Sequence, residues 1–328
     1  MTTVGLVSST NGLGHARRLL EIAIGLGSLD IKCILFISQK QSTHLNLELS
    51  KYVGIIQVVQ ILNHGIDGPV WLNEGSPIIT PSRTTLRQIN RCDLIIVDNV
   101  VWPLEYHSNC IFIGHFTWLK YWARTNNIFL PTRILHRLEI ESQLFSKLRR
   151  ILYFKDFSNN LIGTLPEQAE PIKLLRYDSD VCFQGKPRNT NVIWVAQGTT
   201  GLGADIKINK KIVNQYLIEY KETFKMQSSD FLPYLVIGRP GLGTIRDCLS
   251  SSTRFLGINY NGDPELEANI RSLMTLDLYS KDDLVNAMNY KPETSNKKIQ
   301  YNWENAWGDL SVNIKSICMQ ILNFTDIV

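Results

Sequence analysis

Over the first 115 positions, apolar residues fall into short runs separated by amphipathic stretches. The runs cover residues 3–9, 32–38, 55–62, 93–98 and 110–114 and are rich in Val, Ile and Leu. That length and composition predict buried strands. Between the first two runs, Leu19, Ile22, Ala23 and Leu26 recur at helical spacing, and helical patterns also cover 42–53 and 82–91. Alternation of this kind predicts an α/β fold: a parallel, doubly wound sheet with helices on both faces. Residues 63–81 carry Gly65, Gly68, Pro69, Gly75 and Pro77 and read as a long loop over a binding site.

The pattern changes after residue 116. Trp118, Tyr121 and Trp122 are interleaved with Lys120 and Arg124. Pro131 then opens a helix whose stripe is Ile134, Leu138, Phe145, Leu148 and Leu152, with Arg133, Arg137, Lys147, Arg149 and Arg150 between. A basic amphipathic helix beside aromatic residues can lie on a membrane. The stripe is no wider than a core-facing helix needs, and Glu139 and Glu141 offset the basic charge. The balance favours packing on the sheet, with peripheral membrane contact through 118–150 as the other reading.

Three prolines and no periodicity mark 165–188. A linker at 166–190 therefore separates a domain at 1–165 from one at 191–328. The second domain repeats the alternation: a strand from 191, a glycine loop at 198–203, and a helix over 209–225. A strand at 234–237, a glycine turn and a helix from Thr244 follow, then a strand at 255–259, an acidic loop and another helix. Residues 281–288 also have helix-like spacing. A final helix bearing Trp303, Trp307, Leu310, Ile314, Ile317 and Ile321 closes the chain and is expected to pack back on the first domain.

Composition narrows the function. A chain of 328 residues is long for one core, which supports two domains. A net charge of +4 is too mild for a nucleic-acid partner. The six cysteines form no CxxC pair, so neither a disulfide framework nor a zinc site is expected. With no basic leader and no apolar run long enough to span a bilayer, the expected location is the cytoplasm or the inner face of its membrane.

Ligands of parallel sheets bind beyond the C-terminal strand ends. His15 falls there after the first strand, Asp98 after the fourth and His115 after the fifth. The loop before His15 contains Gly12 and Gly14, but Arg17 occupies the third glycine position of a dinucleotide fingerprint, which argues against NAD and for no cofactor; Arg17, Arg18 and His15 suggest a polar site there instead. In the second half, Gly238, Gly241 and Gly243 lie where a strand turns into a helix. Backbone N–H groups at such a turn can cradle a phosphate. Asp247 is placed for a ribose diol, and Asp263, Glu265, Glu267 and Asn269 crowd the next helix start, where they can accept from sugar hydroxyls. Phosphate cradle, diol acceptor and sugar acceptors together describe a nucleotide-sugar site.

Three motifs carry a resemblance. NGLGHARR at 11–18, QGTTGLGA at 197–204, and GRPGLGTIRDCL followed by DPELEAN resemble the glycosyltransferase-B (GT-B) superfamily. The chain is most similar to its peptidoglycan UDP-N-acetylglucosamine transferase family and to related uncharacterised nucleotide-sugar transferases. The resemblance implies two Rossmann-like domains facing across a cleft. It implies transfer of a sugar from a nucleotide diphosphate donor, UDP-linked, to the hydroxyl of a glycan, lipid-linked or small-molecule acceptor. The transfer would be inverting and need no metal, and the sugar would be a hexose or N-acetylhexosamine.

By position, Gly198, Thr199, Thr200 and Gly201 would face the diphosphate with Gly14, Arg239, Gly241, Gly243 and Thr244. Asp247 would hold the ribose, and Glu265 and Asn269 the sugar or nearby backbone. His15 and Asp98 are the candidate bases. Leu266 replaces a usual Gln, and Arg239-Pro240 replaces small residues in the turn. Two other readings stay open: a nucleotide-sugar hydrolase of the same fold, and a binding subunit without chemistry.

Overall fold

The computed structural model describes residues 2–10, 13–61, 81–115, 117, 132–157, 166–176, 183, 185–197, 216–221, 226, 229–258, 264–279 and 297–323. The chain divides into two compact units, one formed by Met1–Leu175 and Asn313–Val328, the other by Arg176–Val312.

The first unit begins β1 (Thr3–Ser8), α1 (Gly14–Gly27), β2 (Lys32–Ser38), α2 (Gln39–His44), α3 (Asn46–Leu49) and β3 (Ile56–Ile61). It continues α4 (Arg83–Ile89), β4 (Leu94–Asp98), β5 (Cys110–Gly114), α5 (Thr132–Ser146), β6 (Arg150–Phe154) and β7 (Ala169–Ile172). The strands form a seven-stranded sheet in the order β3-β2-β1-β4-β5-β6-β7, with every adjacent pair parallel. The order reverses between β1 and β4, so the crevice beyond their C-terminal ends is the natural ligand position. Val4, Leu6 and Val7 of β1 and Leu94–Val97 of β4 are buried, as central strands covered on both faces require.

The second unit contains β8 (Leu174–Arg176), which starts in the first unit, then β9 (Arg188–Ala196), β10 (Leu217–Lys221) and β11 (Leu232–Gly238). It continues α6 (Leu242–Ser250), β12 (Arg254–Gly257), α7 (Pro264–Thr275), α8 (Lys297–Leu310) and β13 (Ser311–Asn313). Its four-stranded sheet has the order β10-β9-β11-β12, again parallel throughout. The closing helix α9 (Ile314–Asn323) belongs to the first unit, where the Cys318 thiol donates to the carbonyl of Ile22 on α1 at 3.6 Å.

Several expected elements differ. The helix expected over 42–53 is α2, α3 and a short 3-10 turn, and it starts at Gln39 because Ser38 and Gln41 form a capping box. The helix expected through Leu152 ends at Ser146; Leu152 lies in β6, and Phe145 packs edge-on against Phe112 of β5 with ring centroids 5.2 Å apart. The expected linker contains β7 and β8, and β7 extends the sheet by pairing with β6. Residues 217–221, expected to be helical, form β10 beside β9. The final helix is two helices separated by β13. Residues 63–80, 118–131 and 281–288 lie outside the described residues.

Burial pushes the Cys33, Cys92 and Cys110 thiols up to about 12, so they behave as small hydrophobes.

One glycine is required by close approach at the sheet edge. Gly114 ends β5 with φ +149, and a Cβ there would collide with Asn99 Oδ1, which accepts the His115 N–H at 3.1 Å. Asn99 follows Asp98 directly and is itself left-handed at φ 56. Gly114→Ala is expected to destabilise the chain by about 2–3 kcal/mol in urea unfolding, from overpacking and backbone strain.

Candidate functional site

The loop leaving β1 is fastened before it reaches α1. Ser9 N–H donates to the Asp98 carbonyl at 3.2 Å, and the Gln41 side-chain amide donates to the Ser9 carbonyl at 2.8 Å. Helix α1 follows, with no side chain capping its start and no acidic residue in its first turn. His15 and Arg18, three residues apart, lie on the same face. That face meets Asp98, the last residue of β4.

Three buried side chains meet there. Asp98 is fully buried, and His15 and Arg18 are nearly so. Arg18 grips the carboxylate with two donors, Nε to Oδ2 at 2.7 Å and Nη2 to Oδ1 at 2.6 Å. His15 Nδ1 lies 2.9 Å from the same Oδ1. The Arg18 guanidinium stacks over Phe154 of β6, 4.8 Å from the ring centroid.

Electrostatics decide the protonation of this group. Burial alone would raise the Asp98 carboxyl, but the Arg18 guanidinium, then His15, overcome it and hold it at about 2. An ionised carboxylate only accepts. His15 Nδ1 therefore carries a proton and donates it to Oδ1. A histidine oriented this way by a carboxylate is the arrangement of a general base.

His15 and Asp98 are thus brought together. His115, the third residue expected at this edge, is buried, and its ring centroid is 6.3 Å from that of Phe154. Arg18, expected with Arg17 and His15 to mark a polar site at the end of the glycine loop, joins His15 at Asp98; its pairing with Asp98 was not expected.

In the second unit, β11 leads into a tight turn in which Gly241 N–H donates to the Arg239 carbonyl at 2.8 Å. Gly241 caps α6 with φ -71 and ψ 144, and no side chain caps the helix. No capping side chain therefore occupies its first-turn N–H groups, a condition that an anion site shares. A Cβ at Gly14, Gly241 or Gly243 would meet nothing within 4 Å among the described residues. Thr244 follows in the first turn of α6, half-buried.

Asn269 of α7 is fully buried and donates through Nδ2 to the Pro240 carbonyl at 2.7 Å, so it holds the turn. Its Oδ1 has no hydrogen-bond partner among the described residues. Asp247 is buried with its carboxylate 3.3 Å from Arg246 Nη2. Glu265 lies half-buried in the first turn of α7, and Leu266 is buried in the packed face of the same helix. Position 266 therefore serves the core.

Gly198, Thr199, Thr200, Gly201 and Asp263 lie outside the described residues. So does Asp178-Ser179-Asp180, the one Asp-x-Asp in the chain. Among the described residues, no cluster of three His, Cys, Asp or Glu side chains could hold a metal ion, and no helix is long and apolar enough to cross a membrane.

No protein-family model matches the chain, and no curated protein matches it by sequence. Solved structures do match. The spinosyn forosaminyltransferase SpnP is similar over 99% of both chains, with TM-score 0.62 and 9% identity. UGT2 of Phytolacca americana, complexed with UDP-2-fluoro-glucose and pterostilbene, is similar over 98% of this chain and 99% of its own, with TM-score 0.60 and 12% identity. MurG of Acinetobacter baumannii is similar over 98% and 99%, with TM-score 0.54 and 10% identity. The fold is that of the GT-B glycosyltransferases.

In this chain the first sheet carries the His15–Asp98–Arg18 group and the second carries the glycine turn. The buried ion pair has a measurable signature. Removing one partner of such a pair strands the other charge, whereas replacing both by apolar groups is much less costly. Asp98→Ala is expected to lose about 3–5 kcal/mol in urea unfolding at neutral pH, and Asp98→Ala/Arg18→Met to regain most of it. The folded carboxyl sits at about 2, below its ordinary 3.8, so its contribution is complete above pH 3.8 and is lost as pH falls towards 2. The gap between the natural chain and Asp98→Ala should narrow over that interval.

Proposed function

We propose that the protein is a glycosyltransferase that moves a sugar from a nucleotide diphosphate donor, UDP-linked, to an acceptor hydroxyl. The observation that carries this reading is His15 Nδ1 at 2.9 Å from an ionised, fully buried Asp98 at the sheet's switch point. The glycine turn before α6 supports the donor half. UGT89C1 of Arabidopsis thaliana, with the same fold, has been solved with UDP and with UDP-L-rhamnose.

In this reading His15 Nε2 takes the proton of the acceptor hydroxyl as its oxygen attacks the anomeric carbon. The bond from that carbon to the diphosphate breaks, and the diphosphate leaves with the electron pair. Attack opposite the leaving group inverts the centre. Asp98 stabilises the imidazolium that forms, a general-base step worth about 10² to 10⁴ in rate. The α6 N-terminus and the Gly241–Gly243 backbone stabilise the departing negative charge, with Gly198, Thr199, Thr200 and Gly201 serving the same diphosphate. Asp247 takes the ribose and Glu265 the sugar, while Asn269 holds the turn. No metal takes part, so turnover should persist in EDTA. The sugar is a hexose or N-acetylhexosamine, and the acceptor a glycan, lipid-linked or small-molecule hydroxyl.

A panel of UDP-, GDP-, CMP- and dTDP-sugars tests the donor half by thermal shift. A donor at 100 times its dissociation constant should stabilise the chain by about 2.7 kcal/mol; if no nucleotide raises Tm, the reading fails. Gly241→Ala, whose Cβ would meet nothing within 4 Å among the described residues, should leave the free chain within about 1 kcal/mol of the natural stability yet weaken that shift. His15→Ala should keep the shift and lose at least a hundredfold in turnover, about the lower bound for a general base. Sugar release that needs no acceptor would instead identify a hydrolase.

A further inference from the structure

Arg18 is the member of the buried group that this mechanism leaves without a task. Its Nη2 lies 2.6 Å from Asp98 Oδ1 and also 3.2 Å from His15 Nδ1. Nη2 carries two N–H bonds and can serve both atoms, so the conflict lies at Nδ1, which either donates to Oδ1 as Nδ1–H or accepts from the guanidinium with its lone pair. The carboxylate wins, because it is the nearer partner, 2.9 Å against 3.2 Å, and once ionised it only accepts. Nδ1 therefore donates to Oδ1. With Asp98 removed, the guanidinium remains beside Nδ1, which can then accept from it. The imidazole would then keep its proton on Nε2, the atom that has to accept one.

We propose that Arg18 is a positioning residue that clamps Asp98 so that His15 bears its proton on Nδ1, and that, without Asp98, Arg18 captures Nδ1 and silences the base. The proposal rests on His15 being the base of the transfer. It gives Asp98 a second role: it holds off the cation beside the histidine as well as orienting the ring. Phe154, stacked under the guanidinium at 4.8 Å, keeps the fork in plane. A lysine could supply the charge but not the two parallel donors. Among the described residues, the charged or titratable groups on the elements around His15 include Asp98 on β4, Arg17, Arg18 and Glu21 on α1, Cys33 on β2, Arg150 and Tyr153 on β6, Lys315 and Cys318 on α9, and His115 beyond β5.

The test uses the full chain, natural and as Arg18→Met, Arg18→Lys, Asp98→Ala and Asp98→Ala/Arg18→Met, with His15→Ala to assign the resonances. Nitrogen-15 shifts of the His15 ring report which nitrogen holds the proton, and kinetics report kcat and KM. The natural chain should show the Nδ1–H form, Arg18→Met and Arg18→Lys a mixture, and Asp98→Ala the Nε2–H form. Arg18→Met should lower kcat about tenfold with KM unchanged, because Arg18 touches no substrate. A wrong histidine tautomer costs on the order of 10⁴ in a serine protease, so Asp98→Ala should fall by more than Arg18→Met. The decisive outcome is the double variant, which should turn over faster than Asp98→Ala alone. A double variant no faster than Asp98→Ala, or an unchanged tautomer in Arg18→Met, overturns the proposal. Should Asp98→Ala not fold, the tautomer of Arg18→Met decides alone. Should no nucleotide sugar be turned over, the ring shifts still judge the role of Arg18, while the transferase reading falls separately.

Discussion

A carboxylate with no exposure to water constrains the first unit more than any other group. Asp98 sits at the end of a central strand, where an isolated charge would cost several kcal/mol to keep ionised. Two side chains from a helix some 80 residues earlier resolve this, with Arg18 supplying charge and two donors and His15 a third. The position of α1 is set accordingly. The helix must run so that both residues of one face reach the β4 end. Ser9, tied to the Asp98 carbonyl and to Gln41, begins the loop between β1 and α1. The constraint that stabilises the fold here also orients the imidazole.

Legibility of the fold followed burial. Strands covered on both faces were plain as apolar runs: β4 and β5 match runs that begin and end within a residue of them. Elements at the sheet margins were obscure for physical reasons. β7 contains Pro171, which cannot donate to a ladder and is tolerated because β7 is an edge strand. β10 is an edge strand too, and Leu217 and Tyr220 are exposed. Its side chains do not alternate cleanly between core and water, so Leu217, Ile218 and Tyr220 could pass for part of a helix. Leu148 and Leu152 share a helical spacing of four by coincidence; the chain leaves α5 at Ser146 and returns in β6.

The candidate site was legible where topology does the work. His15 and Asp98 could be paired in advance because a parallel sheet places the ends of its first and fourth strands side by side at the switch point. Arg18 could be read only as part of a polar site beside the glycine loop; its burial against Asp98 was not legible, because an arginine in an amphipathic helix ordinarily belongs to the solvated face. Only the buried charge opposite it explains its position. Around the glycine turn, sequence assigned Asn269 to sugar or nearby backbone. Its amide donates to the Pro240 carbonyl, an acceptor within the turn itself. An asparagine serves here because it can donate to a carbonyl that no backbone N–H reaches.

Glycines distinguish packing from ligand approach. A Cβ on Gly5 would meet Ile95 and Cys92, one on Gly25 would meet Cys318, and one on Gly238 would meet Ala196, so neighbouring side chains and backbone account for each. Gly14, Gly241 and Gly243 have no such neighbour among the described residues, and the backbone of Gly241 is one that any residue adopts. A glycine there lowers the stability of the free chain through its conformational entropy without relieving a clash. A group that approaches the backbone more closely than a methyl group allows would give it an advantage. All three lie at the start of a helix, where exposed N–H groups and the helix dipole attract negative charge. A diphosphate would satisfy both conditions at such a helix start, which is why the proposed donor role leans on the glycines more than on the acids near them.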